Sequence, residues 1–116
     1  MTSSRVSGRP REVALATIDG RAVHVDDEGF LTEYDEWDAE LAKVLAANIG
    51  IELTDAHVKV IAFLREDFEQ QGETATLRRV STVGGVPTKE LFQLFPRKPA
   101  KKMAYIAGLP KPVGCV

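Results

Sequence analysis

The residue best equipped for chemistry is Cys115, the one cysteine among 116 residues. A thiolate is a nucleophile that can enter disulfide or persulfide exchange, so its surroundings decide its use. Pro110 and Pro112 favour a stiff, extended backbone, and Gly114 leaves the approach to the sulfur unobstructed. The pattern predicts an arm over residues 109–116 that lies beyond the last helix, adds little to the core and presents one sulfur.

The charge distribution around Cys115 is one-sided. From residue 97 onward there is no acid, and the bases are Arg97, Lys98, Lys101, Lys102 and Lys111. Acids dominate residues 19–55, and the net charge of the whole chain is −2. A positive field favours the sulfur anion, and we take Lys111 and Arg97 as its candidate sources. The same field would attract an acidic partner or RNA phosphate, whereas an ordinary solvated surface and an inert cysteine are the alternatives.

Composition excludes several classes of protein. The chain is 44% hydrophobic, enough for one compact domain, and has no apolar run near the roughly 20 residues of a membrane span. Residues 1–12 read as a disordered leader with no apolar signal region. One cysteine fits a reducing cytoplasm. With only His24 and His57 beside it, neither a metal site nor a cofactor is expected.

The hydrophobic pattern predicts an α+β, mostly helical domain over residues 13–108. A hairpin is expected from strands at 13–18 and 21–25 around Asp19–Gly20, with a short pairing at Phe30–Leu31. About five helices follow, at 38–48, 54–71, 74–83, 88–95 and 99–107. Trp37 is expected to pack on the first helix. The buried stripe of the second is predicted to comprise Val58, Ile61, Ala62, Leu64 and Phe68.

The segment around Gly84–Gly85 supports a second hypothesis. Two short helices separated by glycines resemble a helix-turn-helix, and Arg78, Arg79 and Lys89 lie on them. A nucleic-acid-binding or regulatory module is therefore an alternative function. Against it, the second of these helices is mostly apolar, whereas a recognition helix needs several polar residues to contact bases.

Several motifs resemble one known family. They are the tail IAGLPKPVGCV at 106–116, LFQLFP at 91–96, PAKK at 99–102, FLREDF at 63–68, GIELT at 50–54 and DEGFL at 27–31. The chain resembles the DsrC/TusE sulfur carriers, which include the gamma subunit of dissimilatory sulfite reductase. The resemblance implies a persulfide on Cys115, an upstream donor protein and a downstream acceptor sulfurtransferase or sulfur-metabolism enzyme.

One departure from the family pattern narrows this expectation. In two-cysteine members the penultimate cysteine pairs with one eleven positions upstream, which here is Ala104. The single-cysteine pattern resembles TusE instead, which implies relay towards tRNA 2-thiouridine synthesis. Whether such a carrier counts as an enzyme stays open, because no independent active site is visible. A third hypothesis is a protein that binds sulfur-metabolism enzymes without carrying sulfur.

Overall fold

The computed structural model describes residues 14–18 and 20–112, and in them the predicted α+β, mostly helical fold is confirmed. An antiparallel hairpin of β1 (Ala14–Ile18) and β2 (Arg21–Val25) comes first. A 3₁₀ turn (Tyr34–Glu36) leads into five helices. These are α1 (Ala39–Asn48), α2 (Asp55–Gln71), α3 (Leu77–Thr82), α4 (Thr88–Leu94) and α5 (Pro99–Ile106).

The hairpin is tied to the segment that precedes α1. Gly20 adopts φ +74° at the turn, and Leu31 forms the expected short pairing with Val25. The Glu36 carboxylate accepts hydrogen bonds from the backbone N–H of His24 and from its ring Nδ1, both at 2.8 Å. These bonds, led by the backbone one, lower the pKa of Glu36. The 3₁₀ turn is thereby fixed against β2.

Helix α1 begins where the sequence predicts. The Asp38 carboxylate accepts from the backbone N–H of Leu41 at 2.9 Å, as an N-cap should, and it also receives a two-pronged bond from Arg21. The bond to Arg21 is the main reason that the pKa of Asp38 is lowered. Arg21 therefore connects β2 to the start of α1.

Two buried clusters form the core, and Trp37 belongs to the boundary of both. One cluster joins all five helices. The other joins the hairpin to α1 through Val23, Leu31, Leu41 and Leu45. Trp37 and Tyr105 pack against each of them. The expectation that Trp37 packs on α1 is therefore incomplete, because its indole also contacts the end of α5.

The inward face of α2 differs from the predicted stripe. Val58 is 54% exposed and Ala62 is exposed, whereas His57, Val60, Ile61, Leu64 and Asp67 are buried. Both buried polar groups have partners. Thr54 donates its backbone N–H to Nδ1 of His57, and Nε2 lies 2.7 Å from the Leu94 carbonyl oxygen, so His57 is structural. The predicted stripe is wrong at these positions because it counts apolar residues only, whereas the inward face of α2 also includes polar residues whose hydrogen bonds are made.

Helix α3 is shorter than predicted and begins later. The Thr76 hydroxyl accepts from the backbone N–H of Arg79, so the helix starts at Leu77 rather than at Thr74. Thr74 itself is buried and bonds to the C-terminal segment. In α5, Pro99 occupies the first turn as predicted, where its missing N–H costs nothing.

The correction on α2 can be tested by comparing two substitutions in the same helix. Leu64→Ala should lower the free energy of unfolding by about 2–5 kcal/mol, because Leu64 is fully buried. Val58→Ala should change it by less than about 0.5 kcal/mol, because that side chain is mostly in water. Urea unfolding followed by circular dichroism measures both. Equal losses would contradict the observed orientation of α2.

Candidate functional site

The C-terminal end of α5 is where the arm leaves the domain, and two side chains hold its carbonyl groups. The Trp37 indole Nε1–H donates to the Ile106 carbonyl oxygen at 2.8 Å, and Arg65 Nη1 donates to that of Ala107 at 2.9 Å. The last carbonyls of a helix have no partner within the helix. Residues from before α1 and from α2 thus satisfy them and fix where the chain exits.

Arg65 is itself held between two aromatic rings. Its guanidinium carbon lies 3.9 Å from the Tyr34 ring centroid and 4.1 Å from that of Trp37. Nη2 donates to the Tyr34 carbonyl oxygen at 2.9 Å. Burial lowers the pKa of Arg65, while Tyr34, Glu69 and Asp35 oppose that shift. An arginine suits this place because its planar group stacks and donates in several directions at once.

Tyr34 is anchored in turn to α2. Its hydroxyl lies 2.5 Å from Oε2 of Glu69 and 3.1 Å from the Arg65 carbonyl oxygen, and its ring stacks on Phe68. Burial first, and then the bond to Glu69, raise the pKa of the Tyr34 hydroxyl. The hydroxyl therefore stays protonated and serves as a structural donor.

Gly108 turns the chain from α5 into the arm. It adopts φ +72°, and the N–H groups of Gly108 and Leu109 donate to the carbonyls of Tyr105 and Ala104, the pattern of a Schellman C-cap. A Cβ on Gly108 would lie 2.4 Å from Cδ1 of Trp37. Both the backbone angle and the indole thus require glycine here.

The first half of the arm is docked on the domain, which corrects the expectation that it adds little to the core. Leu109 is fully buried in the main cluster, and Pro112 is buried as well. The Thr74 hydroxyl donates to the Pro110 carbonyl oxygen at 2.7 Å. Lys111 Nζ lies 3.1 Å from Oε2 of Glu28. Residues 109–112 are therefore held by contacts from three separate regions of the chain.

The predicted site residues are only partly within the described chain. Cys115 and Gly114 lie outside it. Lys111 is paired with the Glu28 carboxylate, which partly neutralises its positive charge in the docked arm. Arg97 is exposed at φ +63° between α4 and α5, and its side chain makes no ion pair within the described chain. Their expected influence on Cys115 stays a prediction.

Lys101 and Lys102 near the C-terminus also have partners, as does Arg79. Lys102 donates to the Pro96 carbonyl oxygen at 2.6 Å, and Lys101 lies 4.0 Å from Glu28. Arg79 forms a two-pronged bond with the buried Asp67 carboxylate, and that bond is the main reason its pKa is raised. Its commitment to Asp67 weakens the nucleic-acid hypothesis, since a central base of the helix-turn-helix-like segment is already used.

Comparison with known proteins agrees with the motif reading. A family profile described as "DsrC like protein" matches residues 17–116. The gamma subunit of dissimilatory-type sulfite reductase from Nitratidesulfovibrio vulgaris is 36% identical, over 90% of this chain and 100% of that protein. Sulfurtransferase TusE from Salmonella typhimurium is 38% identical, over 88% of this chain and 100% of that protein. This chain belongs to the DsrC/TusE family of sulfur-relay proteins.

Solved structures place the fold in the same family. The crystal structure of dissimilatory sulfite reductase I (DsrI) contains a chain that superposes with a TM-score of 0.77 at 38% identity, covering 89% of this chain and 100% of that one. The solution structure of Allochromatium vinosum DsrC superposes with a TM-score of 0.73 at 36% identity, covering 90% and 100%. The chain thus has the DsrC fold, and residues 109–112, the arm base, are docked on the domain.

Three other features are missing from the described residues: a metal-binding group of side chains, a membrane-spanning helix and a large pocket beside the arm. Across residues 14–18 and 20–112, no group of three or more His, Cys, Asp or Glu side chains could hold a metal, and no helix is long and apolar enough to cross a membrane. The cleft beside Gly108, Leu109 and Pro110 has a volume of about 60 Å³. Pockets for organic ligands span roughly 300–1,000 Å³, so this cleft is too small for one.

The residues that hold the arm are far from it in the sequence. Trp37 and Arg65 are 69 and 42 positions away from the carbonyls they cap, and Glu28 is 83 positions from Lys111. No local spacing rule relates such distant positions. The one signal in the sequence is the residue types: Trp37 and Arg65 carry side-chain N–H groups that can donate to the carbonyls of a helix end.

The role of Gly108 gives a test with an internal control. Gly108→Ala should lower the free energy of unfolding by about 2 kcal/mol or more. Alanine is strained at this left-handed backbone angle, and its Cβ would clash with the Trp37 ring. Gly72→Ala should cost only about 1 kcal/mol, since Gly72 has a similar φ of +77° but nothing within 4 Å of the added carbon. Thermal and urea unfolding measure both. A smaller loss at Gly108 than at Gly72 would contradict the packing of Trp37 on the turn.

Proposed function

We propose that this protein is a cytoplasmic sulfur carrier that accepts sulfane sulfur on Cys115 as a persulfide and relays it to an acceptor protein, in the direction of tRNA 2-thiouridine synthesis. The observation that carries the proposal is the docked arm base. Residues 109–112 are fixed by Leu109, Thr74 and Glu28, and the only thiol follows three residues later. Three peptide units limit the Cys115 Cα to about 11 Å from that of Pro112.

The proposed chemistry is thiol exchange with no net oxidation. The Cys115 thiolate attacks the outer sulfur of a donor protein's persulfide. A new sulfur–sulfur bond forms at Cys115 as the donor's bond breaks, and the donor leaves as a thiolate. An acceptor thiolate then attacks the outer sulfur on Cys115, and the Cys115 thiolate is released. Each step conserves sulfur atoms and electrons, so no external oxidant or reductant is needed.

A single thiol suits this relay. After each transfer Cys115 cannot be captured by a second cysteine of its own chain, because there is none. The position that the family resemblance pairs with it, Ala104, is fully buried on α5 and accepts the N–H of Leu109. The arm therefore starts beside the place where two-cysteine relatives carry their second sulfur. Gly114 would keep the thiol accessible, and Arg97 and Lys111 would favour its anion.

Intact-mass measurement tests sulfur acceptance directly. After incubation with a persulfide donor, the wild-type chain should gain the mass of one sulfur atom, and a reductant should remove it. Cys115→Ser should show no gain, because it removes the only nucleophilic sulfur. The thermal unfolding of Cys115→Ser should match that of the wild type. A missing mass gain would then be due to the lost thiol and not to a lost fold.

Two outcomes would count against the carrier function. A wild-type chain that gains no sulfur while binding sulfur-metabolism enzymes would support the interaction-protein hypothesis instead. A gain that persists in Cys115→Ser would mean that the added sulfur is not on the thiol.

Reintroducing the second thiol tests the transferred arm geometry. Ala104→Cys should form an internal disulfide with Cys115 on mild oxidation, because the arm begins next to Ala104 and a disulfide needs the two Cα atoms within roughly 7 Å. Lys102→Cys, on the same helix, is the matched control and should bridge much less. Mass after alkylation counts the free thiols. Equal disulfide formation in both variants, or none in Ala104→Cys, would contradict the expectation that the arm brings Cys115 close to position 104.

A further inference from the structure

Glu28 sits where the hairpin region meets the arm, and two lysines from the C-terminal part of the chain converge on it. Lys111 Nζ lies 3.3 Å and 3.1 Å from its two carboxylate oxygens, and Lys101 Nζ lies 4.0 Å from one of them. Glu28 is the acid that meets Lys111, the one charged residue of the arm.

The turn that presents Glu28 is internally fixed. The buried Asp26 carboxylate accepts from the backbone N–H groups of Glu28 at 2.9 Å and of Phe30 at 3.0 Å. Gly29 adopts φ +89°, and its N–H donates to the Asp26 carbonyl oxygen. An aspartate that closes a turn over its own backbone is a local, stable arrangement. The Glu28 backbone is therefore placed independently of the arm.

The other contacts of the arm base are neutral. Leu109 and Pro112 are buried, and the Thr74 hydroxyl donates to the Pro110 carbonyl oxygen. Salt screens ion pairs between partly exposed groups but leaves apolar burial and a neutral hydrogen bond in place. The Glu28–Lys111 pair is thus the component of docking that responds to ionic strength.

We propose that Glu28 is a positioning residue for the C-terminal arm, holding Lys111 through a weak, breakable ion pair that biases the arm between a docked and a lifted state. The proposal deepens the carrier function above and rests on it for its biological meaning. A carrier that serves a donor and then an acceptor needs its arm placed but not locked. Lifting also separates Lys111 from its counter-charge, four residues before the thiol.

The exposure of the pair sets the size of the effect. The side chains of Lys111 and Glu28 are 24% and 37% exposed. Ion pairs near the surface change an equilibrium by about two- to fivefold. Removing the Glu28 charge should therefore shift the balance of docked and lifted arms by about two- to fivefold without unfolding the domain.

The single cysteine allows this shift to be measured without any sulfur transfer. A nitroxide spin label on Cys115 of the full chain reports, by electron paramagnetic resonance, the ratio of fast- to slow-tumbling label. In the wild type this ratio should rise about two- to fivefold from low to high ionic strength. In Glu28→Gln it should already be high at low salt and should change little when salt is added.

Three further variants separate the ion pair from other causes. Thr74→Val removes the neutral hydrogen bond and should raise the ratio while leaving its salt response intact. Lys101→Gln should have a smaller effect than Glu28→Gln, because Lys101 lies farther from the carboxylate and is not on the arm. The charge-reversed double variant Glu28→Lys with Lys111→Glu should restore both the low ratio and its response to salt.

Specific results would overturn the proposal. One is a wild-type ratio of fast- to slow-tumbling label that does not change with salt. Another is a ratio in Glu28→Gln equal to that of the wild type. A third is an effect of Lys101→Gln as large as that of Glu28→Gln. The spin label needs no persulfide, so the positioning role can fail while mass measurement still detects sulfur on Cys115. Conversely, a failed sulfur transfer leaves the label result intact, and the two proposals are judged separately.

Discussion

The capping of α5 by Arg65 is the interaction on which the rest of the candidate site depends. One guanidinium is stacked between the Tyr34 and Trp37 rings while it donates to the Ala107 and Tyr34 carbonyls. Trp37 then reaches the neighbouring carbonyl of Ile106. This arrangement joins the segment before α1, the middle of α2 and the end of α5. Without it, the last turn of α5 would have unsatisfied carbonyls beside a partly apolar surface.

From that fixed helix end, the structure leads outward along the arm. Gly108 reverses the chain under the Trp37 ring, Leu109 enters the core, and Thr74 and Glu28 hold the next residues. These contacts differ in kind. Leu109 and Pro112 are buried, Thr74 donates one neutral hydrogen bond, and Lys111 forms a partly exposed ion pair. The ion pair is the contact that breaks most easily, which suits the proposed exchange with two partners.

The helices illustrate how local signals succeed and where they stop. The helix ranges predicted from sequence lie close to the observed ones where local groups set the ends. Asp38 and Thr54 cap two helices and glycines 50, 72 and 108 follow helix ends, each acting within a few residues of its own helix. The buried face of α2 was not predictable from such local groups, because His57 and Asp67 turn inward only when distant groups satisfy them. The sequence places Thr74 in a helix for the same reason, since its partner Pro110 lies 36 positions away.

The sequence by itself determined the family and the fold class, since the tail and helix motifs are local patterns that need no distant partner to be recognised. The chemistry of Cys115 stays a proposal that rests on the same tail motif. The sequence also determined most helix boundaries, which depend on short-range capping and backbone angles. Only the tertiary structure decided how the arm is held and which charges are available. In the sequence Lys111 and Arg79 are positive charges without a visible partner, whereas the structure pairs Lys111 with Glu28 and Arg79 with Asp67. The physical reason is that local preferences act between neighbours in sequence, whereas ion pairing and burial act between neighbours in space.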